Sequence, residues 1–186
     1  VKQEETTTER LHQMVKAKNN NIHVLNAGIG NYNAVRYVEL FLSQLTHLAP
    51  DTIVVQYFVN DAEVLEFSPG NWFLRNSQLA VTLWIAYNRI FSSSGELGLL
   101  DHYKAVYDPN SQGYQDMTSA LKKLSIYAKE NNIKVLVAMI PDFHNLTNYP
   151  FGFIHSAIKK LSKENGFTYA DLLPAFEGRE AKTLWS

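Results

Sequence analysis

The sequence contains no cysteine. Disulfides, thiol nucleophiles and cysteine-ligated metal sites are therefore excluded. It also lacks a surplus of charge: 17 lysines and arginines stand against 18 aspartates and glutamates, a net charge of -1. Nucleic-acid binders carry a basic excess, so nucleic acid is not an expected partner. No apolar run approaches the roughly 18 residues that span a bilayer, so no integral membrane segment is read. No signal-peptide pattern is visible, and no internal repeat or low-complexity tract appears. The histidines at 12, 23, 47, 102, 144 and 155 show neither H-x-x-x-H nor H-E-x-x-H spacing, so no metal site is expected.

What remains is the composition of a globular domain. Hydrophobic residues make up 46% of the 186 and charged residues 19%, enough for a core and without a disorder signature. A single domain over 1–186 is expected. The lysine pairs Lys122-Lys123 and Lys159-Lys160 fall among apolar residues at helical spacing and read as solvated helix faces.

Apolar strand-like runs alternate with amphipathic stretches, the pattern of an α/β fold with a mostly parallel sheet. Glu4–Lys18 reads as a helix, Ile22–Ala27 as a short strand and Ala34–Leu48 as a strong helix. Thr52–Phe58 reads as a strand buried on both faces. Residues 62–111 are less regular and read as an insertion with lid character. They carry one expected helix, Ser77–Phe91, whose Trp84, Tyr87 and Phe91 suit either core packing or an acyl-chain wall. Gln112–Asn131 is a helix, Ile133–Ile140 a strand ended by Pro141, Phe151–Asn165 a helix stopped by Gly166, and Phe167–Leu172 a last strand. Helices are expected on both faces of the sheet, and ligands at the carboxyl ends of its strands.

That rule singles out three loops, at 28–33, 59–63 and 141–149. The first, Asn26-Ala27-Gly28-Ile29-Gly30-Asn31-Tyr32-Asn33, is a glycine-rich turn able to offer backbone N–H groups to an anion. It fails the G-x-G-x-x-G dinucleotide pattern because position 33 is asparagine. An ordinary strand-to-helix turn is the alternative. The second, Val59-Asn60-Asp61, places an asparagine where its amide can face a developing oxyanion. Alternatively, Asn60 and Asp61 cap the following turn.

Together, N-A-G-I-G-N-Y-N, a helix and then V-N-D resemble blocks II and III of the SGNH/GDSL serine ester hydrolases. The resemblance continues through His102–Tyr107, Ile140-Pro141 and Pro150-Phe151, and so covers most of the chain. It implies a three-layer α/β/α, flavodoxin-like sandwich. It also implies an oxyanion hole built from the nucleophile's N–H, a block II backbone N–H and a block III asparagine. On this sequence Asn60 matches the asparagine. The block II glycine position is taken by Asn31, which can still offer a backbone N–H and tolerates a left-handed backbone; Gly30 is its neighbour in an alternative register. Tyr32, Asp61 and Asp142 are expected substrate contacts.

Two features of the family are absent: no G-D-S block and no D-x-x-H block occurs in the sequence. The nucleophile and base are therefore expected outside these residues, the chain being read as truncated at both ends. No serine sits in a G-x-S-x-G elbow. His144, two residues after Asp142, is a candidate base that the carboxylate can orient, or else a pocket or surface residue. His155, within the last expected helix, reads as structural. Asn145-Leu146-Thr147 fits a glycosylation sequon.

The expected function is hydrolysis of a carboxylic ester, on an acylated sugar or lipid, through an acyl-serine intermediate and without a cofactor. The alternatives are an inactive SGNH-like domain that binds carbohydrate or a protein partner, and a nucleotide- or flavin-binding α/β protein. Periplasmic or secreted and cytoplasmic locations both stay open.

Overall fold

A computed structural model of the chain describes residues 6–64, 96–176 and 178–180. The expected helix at Ser77–Phe91 lies outside these residues. The chain divides into two compact units, Val1–Tyr32 and Asn33–Ser186.

The first unit holds helix α1, Thr7–Lys18. Thr6 caps it: its hydroxyl accepts the Glu9 N–H at 3.2 Å, and lysines occupy the last turn, where they complement the helix dipole. None of its residues is buried. The expected strand at Ile22–Ala27 is not formed. A strand requires a neighbour for its backbone groups, and among the described residues none pairs with this segment. Instead the Val24 N–H is taken by His12 Nδ1 at 3.1 Å, and Leu25 stays 68% exposed.

The second unit is a mixed α/β arrangement around a small parallel sheet. Helix α2, Ala34–Leu40, is followed without a break by a wider π-helical stretch, Phe41–Leu45, and a 3₁₀ turn, Thr46–Leu48. The sequence predicts helix throughout, but only its first seven residues keep α geometry. In the widened segment the Ser43 hydroxyl bonds back to the Glu39 carbonyl at 2.7 Å. Ala49, at φ +42°, ends the run.

Strand β1 is Thr52–Tyr57, helix α3 Glu96–Val106, helix α4 Gln112–Glu130, strand β2 Lys134–Met139, helix α5 Gly152–Asn165 and strand β3 Thr168–Asp171. Helix α3 is not anticipated by the sequence pattern; its Tyr103, and Tyr107 in the turn that follows it, enter the core. The strands are parallel in the order β1-β2-β3, with Val55 opposite Val137 and Val137 opposite Tyr169. Their alternate residues Val55, Tyr57, Val135, Val137 and Met139 are buried together with Met117, Leu121 and Leu124 of α4 and Ile154 and Ile158 of α5. Such a period of two on the strands and three to four on the helices is the mark of a helix-on-sheet core.

Burial of β1 on both faces is not observed: Val54 is 43% exposed and Gln56 is open to solvent. The lysine pairs lie on exposed faces of α4 and α5, as the spacing predicts. At the end of α5, Gly166 adopts φ +75°, the left-handed conformation that only glycine takes without strain, and its N–H closes the last turn. Among the described residues no helix is long and apolar enough to cross a membrane.

Candidate functional site at the carboxyl ends of the strands

The chain leaves β1 through two overlapping turns, in which the Asp61 N–H bonds the Phe58 carbonyl and the Glu63 N–H bonds the Asn60 carbonyl, each at 3.0 Å. The loop is anchored on several sides. Asn33 caps α2 by accepting the Arg36 N–H at 3.1 Å, while its amide donates to the Glu63 carbonyl at 2.8 Å. The Ala34 N–H donates to the Asp61 carbonyl at 3.0 Å. From the turn just after α3, Tyr107 donates to the Val59 carbonyl at 3.0 Å and accepts from Tyr57 at 2.8 Å.

Helix α4 begins against the same loop. A Cβ at buried Gly113 would collide with the Ala62 carbonyl oxygen and press on Val64. Gly113→Ala is therefore expected to force helix and loop apart and to destabilise the chain by about 1–3 kcal/mol, read as a lower urea midpoint. An unchanged midpoint would remove this close approach from the account.

Within the loop the two candidate side chains part company. Asn60 is exposed, and its amide is engaged by no described group. Asp61 is 5% exposed, and its Oδ2 accepts the Phe58 N–H at 3.3 Å. Asp61, expected as a substrate contact, is thus a buried carboxyl that closes the turn. Burial pushes it up to about 7, against the opposing effect of the Phe58 N–H and of Tyr37.

Gly30, Asn31 and Tyr32 belong to the first unit. The Tyr32 N–H closes a turn on the Ile29 carbonyl at 3.3 Å. Its third residue, Asn31, has φ +63°, so the left-handed position falls on an asparagine. Nothing lies within 4 Å of a Cβ built on Gly30.

After β2, Asp142 is 7% exposed and turned toward His144. Its Oδ1 accepts the His144 backbone N–H at 2.9 Å, and its carboxylate lies 2.8 and 3.0 Å from His144 Nδ1. The sequence spacing thus does place a carboxylate on this imidazole. Behind the pair stands a chain of bonds: Tyr149 Oη lies 2.8 Å from His155 Nε2, and His155 Nδ1 lies 2.9 Å from Asp171 Oδ1 at the end of β3. Burial pushes the Tyr149 phenol up to about 12. His155 is more than packing, since it joins α5 to the loop after β2 and to the end of β3.

Nearby, His102 bonds Glu63 at 3.0 Å. The rings of Tyr103, Phe151 and Tyr149 meet edge to face, with centroids 5.3 and 5.9 Å apart. Asn33 could have been read from its place one residue before a helix. The Tyr149–His155–Asp171 connection has no local signature, because its members stand 6 and 16 residues apart.

Two open grooves lie elsewhere on the unit. One, of about 490 Å³, runs between α4 and α5 past Tyr114, Lys122, Leu161 and Glu164. The other, of about 350 Å³, lies beside Val35, Leu42 and Ala120. Neither is lined by a residue of the strand-end loops. Among the described residues no group of three or more histidine, aspartate or glutamate side chains is placed to hold a metal ion. Comparison with family models, with curated proteins and with solved structures finds no match to this chain.

Proposed function

We propose that the chain is part of an SGNH-type serine hydrolase that cleaves a carboxylic ester, on an acylated sugar or lipid, with Asn60 stabilising the tetrahedral oxyanion. The observation supporting this reading is the division of labour in the 58–63 loop. Asp61 and Asn33 take up the structural hydrogen bonds, while the Asn60 amide stays exposed at the carboxyl end of a parallel strand and uncommitted among the described residues. A side-chain amide that does no structural work, on a loop anchored from several sides, suits a preorganised donor. The resemblance assigns the second donor to the backbone at Gly30–Asn31. It also makes the three observed strands part of a flavodoxin-like sheet covered on both faces. His144, oriented by Asp142, is the candidate base that this chain itself offers.

The test is hydrolysis of p-nitrophenyl acetate by the full-length gene product, with a serine-directed phosphonate and mass mapping of the adduct. Turnover that the phosphonate abolishes, with the adduct on a single serine, supports the reading. A second reading, an inactive relative that binds carbohydrate or a partner, is favoured by the absence of G-D-S and D-x-x-H from the sequence. Neither turnover nor adduct on the full-length product would replace the first reading with this one.

A further inference from the structure

We infer that Tyr149, held by the His155–Asp171 pair, is a positioning residue that fixes the Asp142–His144 pair. Only its functional consequence rests on the ester-hydrolase reading; the bonding order does not.

Donor and acceptor roles follow from the chemistry of the groups. An ionised Asp171 carboxylate can only accept, so the proton between it and His155 sits on Nδ1. With the ring neutral, Nε2 is an acceptor, to which the Tyr149 hydroxyl donates at 2.8 Å. The oxygen of that hydroxyl accepts the Asp142 backbone N–H at 3.2 Å. Asp142 in turn holds His144 at its backbone N–H and at Nδ1. Each bond sets the direction of the next, and such chains polarise one another.

Two members are shielded from water, His155 at 5% and Asp142 at 7% exposure. The inner end is fixed as well, because Asp171 Oδ1 also accepts the Leu173 N–H at 3.0 Å. Tyr149 itself is held edge to face by Phe151 and by the His155 ring. The arrangement thus ties an exposed imidazole to the end of a neighbouring strand. It does so through an amide of the residue that orients that imidazole, with no direct contact between Tyr149 and His144 required.

The test is long-range proton–nitrogen NMR of the imidazoles in the whole chain, comparing wild type with Tyr149→Phe. In wild type, His155 and His144 are both expected as the Nδ1–H tautomer. Phenylalanine keeps the ring and removes only the hydroxyl. The expected result is loss of the fixed His144 tautomer, its two nitrogen signals moving toward the averaged values of a free imidazole.

Asp171→Asn gives a second readout should Tyr149→Phe fail to fold. Weaker polarisation of Tyr149 is expected to move the Asp142 amide proton upfield. Unchanged His144 signals in Tyr149→Phe, or an unchanged Asp142 amide in Asp171→Asn, would overturn the inference. An ester assay separates the two ideas. A fall in kcat at constant KM in Tyr149→Phe links the network to turnover. A moving His144 signal in a protein without turnover keeps the network and counts against the hydrolase reading alone.

Discussion

Asn60→Ala is expected to lower kcat on a short-chain ester by about 10²–10³-fold, while stability stays within about 0.5 kcal/mol of wild type. The first half rests on the proposed role of Asn60 and the second on its geometry. The side chain is exposed and makes no described hydrogen bond, so its removal orphans no buried partner. The backbone of the loop is held by Asn33, Ala34 and Tyr107, none of which touches the Asn60 amide. A donor that acts only on charge developing in the transition state affects kcat more than KM. Steady-state kinetics and a urea melt on the same preparation check this. A loss of activity that merely follows a loss of stability would return Asn60 to the role of a turn residue.

Its neighbour is expected to behave in the opposite way. Asp61→Asn should raise stability, and more at pH 8 than at pH 5. The Asp61 carboxyl titrates near 7 in the folded chain against 3.8 ordinarily, because burial disfavours its charged form. Between those values the folded state holds a proton that the unfolded state has released, so stability falls as pH rises from about 4 to about 7 and is then flat. The stability lost across that window amounts to roughly 4 kcal/mol at most. Asparagine carries no charge and keeps an oxygen for the Phe58 N–H. Thermal melts of both proteins across this range should diverge with rising pH. A constant offset would mean that Asp61 is not the group responsible.

Much of the second unit was legible in the sequence. Gln112–Asn131, Ile133–Ile140 and Phe151–Asn165 differ from the observed α4, β2 and α5 by a residue or so at their ends. Their apolar periods match the faces they bury, and Ser111 and Gly166 mark a start and a stop. Ile22–Ala27 failed because pattern specifies a strand only where a neighbour completes its hydrogen bonds. Helix α3 went unread although Leu100, Tyr103 and Val106, with Tyr107 just past its end, fall at helical spacing, because so short a stripe follows a long irregular stretch.

The place of Asn60 just past the end of β1 and the Asp142–His144 contact were readable from position alone. The burial of Asp61 was not, since adjacent polar residues in a turn look alike until the fold decides which one faces inward. The Tyr149–His155–Asp171 chain depends on α5 bringing His155 between Tyr149, in the loop after β2, and Asp171 at the end of β3.

The sheet order has a further consequence, for how the chain acquires its structure. Strands β2 and β3 are linked through α5 alone, whereas β1 reaches β2 only after the long excursion that includes α3 and α4. Closing the shorter connection costs less chain entropy, so the β2-α5-β3 unit is the natural nucleus and β1 docks onto it late. During synthesis β1 emerges first and waits for its partner. Throughout that interval Thr52–Tyr57 presents an unpaired backbone and an uncovered Val54, which makes it the segment of the described chain most exposed to mispairing.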